Sequence, residues 1–161
     1  MVRDLMELYG WVRGSRAVLF EYLESLPPGA YTKELSGFPL GGSMRNLHVH
    51  AADCYMYWLE YVGLEQPRRD LRFEDYPDPA SVREAFAEVD ALVERFLGHF
   101  ADRIDEPLHR VLSWRPQGLT VTPRWLLLHP ITHEFHHKGQ LVVIGRQLGH
   151  IPPETDLAFP G

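Results

Sequence analysis

Four stretches of this chain repeat apolar residues at helical spacing, and proline or glycine separates each stretch from the next. The pattern is typical of an all-α protein, because proline cannot continue a helix and glycine commonly ends one. The stretches cover residues from about 2–26, 43–63, 79–100 and 122–148. Helices of this length with long connections predict an antiparallel four-helix bundle with a crossover connection, built from residues 1–161 as one domain.

The segment from about 102 to 121 has a different character. It carries β-forming residues on both sides of Pro116 and Gly118. We therefore expect a loop or a short hairpin before the last helix.

Composition argues against several classes of protein. The net charge is −6 and the 16 Lys and Arg residues are scattered, so we expect no nucleic-acid partner. No apolar stretch approaches the ~18 residues that a membrane span needs, and Arg3 and Asp4 interrupt any signal-peptide pattern, so we expect no membrane partner. The single cysteine, Cys54, cannot form a disulfide within the chain, which favours a cytoplasmic location.

Histidine is concentrated in the last predicted helix. On a helix that turns about 100° per residue, His129, His133, His137 and Gln140 share one line with aliphatic residues, so His133 and His137 point into the bundle. Two imidazoles four residues apart can reach one metal ion, and a third from a facing helix would complete three corners of its coordination. Three imidazoles leave a position open for water or a substrate.

The second predicted helix offers two histidines for that third corner. His50 lies about 60° from the centre of the apolar line, whereas His48 lies about 100° off, toward the flank. Asp53, three residues after His50, could orient an imidazole ring, and His129 could be a fourth ligand or a hydrogen-bonding support. Cys54 could add a thiolate ligand, but we expect it to be a small buried core residue.

The segment from His133 to His137 also matches H-E-x-x-H, the signature of zincin metalloproteases, in which Glu134 would be the general base. Five residues make a short match, and the following Lys138-Gly139-Gln140 lacks the extended metzincin pattern. A metalloprotease is therefore the weakest of the functional interpretations.

Two motifs resemble a known family. His50 is followed by small residues and then by aromatic ones, and His133 begins the pattern His-x-x-x-His-Lys-Gly-Gln, which ends at Gln140. Together they resemble the DinB/YfiT-like family of metal-binding four-helix bundles, over nearly the whole chain. The resemblance implies that His50, His133 and His137 bind a divalent metal, zinc or nickel, with His48 as the alternative to His50. Gly139 would let a neighbouring helix pack closely, and Gln140 would hydrogen-bond a ligand or metal-bound water.

Some relatives in that family transfer a group onto a low-molecular-weight thiol. The resemblance therefore implies a metal-dependent transferase or hydrolase that acts on a small molecule, with such a thiol as co-substrate. Because no general base beyond Glu134 is evident, a non-catalytic metal- or ligand-binding module, related to stress, is the alternative. Aromatic residues in excess of what a small core needs also predict a homodimer; they are Tyr9, Trp11, Trp58 and Trp125.

Overall fold

The computed structural model describes residues 2–157, most of which are helical. The long helices are α1 (Val2–Glu24), α2 (Met44–Tyr55), α3 (Pro79–His99) and α4 (Pro123–Gln147). Shorter elements are a π-helix (Met56–Gly63) that continues α2, 3₁₀ turns at Leu40–Gly42 and Phe73–Asp75, and strands β1 (Leu108–Leu112) and β2 (Arg115–Val121). The strands pair antiparallel, so the predicted loop or hairpin before the last helix is a hairpin. The prediction of a helical protein with four long helices is confirmed.

Three helices begin at side chains that cap them. Ser43, Asp78 and Thr122 each accept a hydrogen bond from the backbone N–H three residues ahead. Such caps satisfy one of the N–H groups that a helix leaves without an internal partner. Their positions agree with the helix starts predicted from the sequence.

The helix α2 packs against both α3 and α4, while α1 packs against α3. As a result α2 is buried on more than one side, and Met44, Leu47, Ala52 and Tyr55 are fully buried along it. The expectation of one apolar line with His48 at the flank is wrong, because His48 is only 2% exposed. Because α2 has neighbouring helices on two sides, the side of α2 that carries His48, about 100° from the apolar line, is also covered.

One of the aromatic residues that we expected at a dimer interface lies in the core instead. Tyr9 is 1% exposed and donates a hydrogen bond to Asp90 on α3. Trp11 and Trp125 remain exposed on the surface, and Trp58 is half-buried.

Close helix packing depends on Gly63 and Gly145. A Cβ at Gly63 would collide with the ring of Phe96, and one at Gly145 would collide with the hydroxyl of Tyr22. Gly139, expected to serve this purpose, has open space where its Cβ would lie, so that expectation is wrong.

None of the helices within residues 2–157 has the length and apolar character needed to cross a membrane.

Candidate metal centre

Packing of α2 against α4 brings His50, His133 and His137 together. The Nε2 atom of His133 lies 3.0 Å from Nε2 of His50 and 2.9 Å from Nε2 of His137. One ligand nitrogen from each of the three rings lies within 4.8 Å of the other two. His137 is buried, while His50 and His133 are half-buried and border open space.

These separations fit a shared metal ion. Transition metals bind imidazole nitrogen at about 2.0–2.1 Å. Two nitrogens at right angles around such an ion are therefore about 2.9 Å apart, and at a tetrahedral angle they are about 3.3 Å apart. The observed spacing of His133 from its two neighbours matches the right-angle case, in which further positions on the ion stay open. The three histidines could hold a divalent metal with little movement.

The hydrogen bond to Gln140 sets the protonation of one ring. Oε1 of Gln140 accepts a hydrogen bond from Nδ1 of His137 at 2.7 Å. The proton of the neutral imidazole is then held at Nδ1, and the lone pair at Nε2 points to the other two rings. Gln140 thus lies where it can orient His137 for metal binding.

Burial keeps the rings of the cluster neutral. Burial, with smaller contributions from the positive charges that His137 and His50 would carry when protonated, lowers the pKa of His133 to about 4. Burial also lowers the pKa of His50, although the nearby charge of Asp53 offsets part of this effect. Neutral imidazoles are the form that binds metals.

Asp53 influences the cluster through its charge rather than through a hydrogen bond. One carboxylate oxygen accepts from Arg68 at 2.7 Å, and the other accepts from the backbone N–H of Leu71 at 3.2 Å. Among residues 2–157 it has no hydrogen bond to a histidine ring, so it does not orient an imidazole as the sequence suggested.

His48 faces a different part of the protein. Its ring packs between Phe20 and Phe86, at centroid distances of 4.7 and 5.4 Å. Its Nδ1 is 3.0 Å from the hydroxyl of Tyr31, and its buried Nε2 has no hydrogen-bond partner among the described residues. Burial lowers the pKa of His48 to about 3, with a smaller contribution from the charge of Arg16. His50, not His48, is the α2 histidine beside α4.

His129 lies one turn before His133 and outside the triangle. Its ring stacks on Trp125 at 4.9 Å between centroids and lies 4.6 Å from the ring of Trp58. Its centroid is 6.1 Å from that of His133. The two tryptophans therefore hold His129 at the edge of the cluster.

Glu134 belongs to a buried ionic network that sequence reasoning missed. Arg16 donates to its two carboxylate oxygens at 2.8 and 2.9 Å, and the hydroxyl of Tyr55 donates at 2.6 Å. Arg16 also pairs with Asp90 at 2.8 Å. Because both oxygens of Glu134 are directed at α1 and the core, the role of general base beside the histidines is wrong. That removes the basis for the metalloprotease interpretation.

A sequence signal for this network did exist. Arg16 interrupts a line of apolar residues on α1, between Val12 and Leu19, and it is only 4% exposed. On α4 the line from Leu127 through Leu141 is interrupted by Glu134 in the same way. A charged residue inside an apolar line predicts a buried partner on a facing element, because a buried charge must be compensated.

Lys138 anchors the next turn of α4. Its ammonium group donates to the hydroxyl of Ser15 on α1 and to the backbone carbonyl of Thr155. Glu134 and Lys138 directly follow His133 and His137 in the sequence. Contacts at both residues fix the rotation of α4, which determines where the two imidazoles point.

A cavity of about 260 Å³ opens beside the cluster. Its lining combines imidazoles, aromatic rings, a thiol and one ion pair, from His50, Asp53, Cys54, Tyr57, Trp58, Arg68, His129 and His133. The volume lies just below the range of about 300–1,000 Å³ that is typical of small-molecule sites, so a ligand here would be small. A small ligand in this cavity would contact two of the three clustered histidines.

The family comparison agrees with this geometry. The sequence model of the DinB family matches residues 1–160. The chain belongs to the DinB family. Among proteins of curated function, none matches it. The resemblance inferred from the two histidine motifs is therefore confirmed, and it covers the whole of the described chain.

Proposed function

We propose that this DinB protein is a metal-dependent transferase or hydrolase that acts on a small molecule, with a low-molecular-weight thiol as co-substrate. One divalent ion, zinc or nickel, would be held by His50, His133 and His137. The observation that carries the proposal is the convergence of the ring nitrogens of three histidines beside a cavity of about 260 Å³. The ion would lower the pKa of a bound thiol or water, which makes either a nucleophile at neutral pH.

The protein's own residues would supply binding and orientation. Gln140 holds the proton of His137 at Nδ1 and so keeps Nε2 available. Trp58 and Tyr57 form an aromatic wall of the cavity, with ring centroids 5.3 Å apart. Arg68 adds a positive charge at the same wall, although Asp53 and Asp70 pair with it. The aromatic rings would exclude water around a bound substrate.

A second candidate function is a non-catalytic metal- or ligand-binding module. The hydrogen bonds of Glu134 and Asp53 favour it, since both carboxylates are engaged elsewhere and neither is free to act as a general base. Thiol transfer is compatible with the same finding, because a metal-bound thiol ionises without a carboxylate. Turnover therefore separates the two candidates.

We further propose an antiparallel helical bundle that forms a homodimer in the cytoplasm, without nucleic-acid or membrane partners. Trp11 and Trp125 support a dimer, because they are 45% and 40% exposed and large exposed aromatic side chains are common at interfaces. Analytical ultracentrifugation of the wild type and of Trp11→Ala would test this. A monomeric wild type at high micromolar concentration would contradict it.

The central experiment is elemental mass spectrometry of the protein after loading with zinc or nickel. We expect about one equivalent of metal in the wild type, and its loss in His50→Ala and in His133→Ala. His99→Ala is the matched control, because His99 is exposed on α3, outside the cluster, and should leave the metal in place. Loaded protein would then be screened for transfer to small thiols, with chelation as the control.

An unloaded wild type after this treatment would refute the metal site. Full metal loading with no turnover of any thiol or ester would instead favour the binding module.

A further inference from the structure

The ligand-bearing side chains continue beyond the three-histidine cluster. On α2, Cys54 lies one turn after His50, and on α4, His129 lies one turn before His133. The sulfur of Cys54 and one ring nitrogen from each of His129 and His133 all lie within 4.8 Å of one another. The two helices therefore carry two neighbouring sets of ligands. The first set is His50, His133 and His137, the second is Cys54, His129 and His133, and His133 belongs to both.

We propose that Cys54, His129 and His133 form a second cation site that takes a thiophilic ion such as Cd²⁺ or Cu⁺. A thiolate is a soft ligand, and it selects soft or borderline ions more strongly than imidazole does. The three-histidine set lacks such a ligand. The two sets therefore differ in the ions they prefer, although they lie a single helical turn apart.

The surroundings of the second set suit an ion that arrives from solvent. Cys54, His129 and His133 all line the cavity of about 260 Å³, whereas His137 of the first set does not. The stack on Trp125 and the contact with Trp58 hold the ring of His129 in place, so little side-chain freedom is lost on binding. The second set is thus the one nearer to the open space.

Cys54 is 7% exposed and burial raises the pKa of its thiol, so its case as a ligand rests on the position of its sulfur. A core cysteine normally packs among apolar groups, but this sulfur faces two imidazoles across a cavity. On binding, the thiol proton is released to solvent and a sulfur–metal bond forms in its place, with no change of oxidation state. Release of the proton is the expected cost of using a buried thiol as ligand.

Sharing of His133 makes the two sets compete. An ion bound at one set occupies the ligand that the other set needs, so the chain should hold one ion at a time. A thiophilic ion would occupy the set with Cys54, and an ion that prefers imidazole would occupy the set with His50 and His137.

The test is a titration of the metal-free full chain with Cd²⁺, followed by ultraviolet absorption. A sulfur–cadmium bond gives a charge-transfer band that nitrogen ligands do not give. We expect the band at about one equivalent in the wild type, its loss in Cys54→Ser, and at least tenfold weaker Cd²⁺ binding in His129→Ala. His50→Ala, which removes a ligand from the first set only, should keep the band.

Circular dichroism would show that each variant is folded, and Cys54→Ser changes the side-chain volume little. A wild type without the band would overturn the proposal. So would a band that disappears in His50→Ala, because the sulfur would then belong to the first set as a fourth ligand. Loss of zinc or nickel from His50→Ala with the cadmium band intact would support both sites independently, so failure of either site can be recognised separately.

Discussion

Replacing Glu134 by glutamine should cost much of the stability of this protein. The change removes the negative charge that pairs with Arg16 inside the core, where the side chains of Arg16 and Glu134 are 4% and 6% exposed. Breaking a buried ion pair by removing one partner typically costs about 3–5 kcal/mol. Arg16 keeps its second partner, Asp90, at 2.8 Å, so we expect a value near the lower end, about 3 kcal/mol. For a domain of this size that corresponds to a melting temperature lower by about 6–12 °C.

Urea unfolding followed by circular dichroism would measure the loss. The matched control is Glu88→Gln, the same chemical change at a side chain that is 62% exposed and pairs with Arg69 at 3.3 Å. Exposed pairs contribute about 0–1 kcal/mol, so the control should unfold almost like the wild type. If Glu134→Gln and Glu88→Gln shared one unfolding midpoint, the buried network would not have the stabilising role inferred from its geometry.

Three further predictions follow from single contacts. Gln140→Ala should weaken metal binding about 10–100-fold in a chelator-competition titration, because the hydrogen bond to His137 is lost. The control Gln147→Ala, on the same helix, should leave metal binding unchanged. Gly145→Ala should lower the free energy of unfolding by about 1–3 kcal/mol, because the added methyl group would overpack against Tyr22. Gly139→Ala has open space at its Cβ and should raise the free energy of unfolding by up to ~1 kcal/mol. Equal effects of the two substitutions would refute the packing difference. Because the pKa of His48 falls from 6.5 to about 3 on folding, the unfolded chain gains the proton first as pH decreases. The stability contributed by neutral His48 is thus nearly complete at pH 7 and declines below about pH 6.5. When unfolding is compared at pH 7 and pH 5, His48→Gln should reduce this decline by about 2 kcal/mol in total.

The helices could be predicted from the sequence because their signals are local. Ser43, Asp78 and Thr122 are good caps wherever they occur, and the prolines and glycines between the helices stop them without help from distant residues. The π-helix from Met56 to Gly63 could not be predicted in this way. It is part of the packing of α2 against α3, where Gly63 meets Phe96, and no local pattern encodes that contact.

The candidate site was predictable for a related reason. His133 and His137 lie four apart on one helix, so their proximity follows from helix geometry alone. The position of His48 did not follow, because it depends on α1 and α3 packing on the far side of α2. The partners of Glu134 were equally hidden, since Arg16 is 118 residues away in the sequence.

Two faces of α4 carry polar residues that make specific contacts. For this reason the sequence of α4 does not separate into one apolar and one polar face, as an ordinary amphipathic helix does. The more buried face carries Glu134 and Lys138, which bind side chains of α1, and the face about a quarter-turn away carries the histidines. A charge within the core is costly unless its partners are fixed, so these contacts permit only a narrow range of rotations for α4. The same rotation aims His133 and His137 at α2. A helix held by apolar contacts alone could rotate more freely, and a large rotation would carry the imidazoles of α4 away from that of His50.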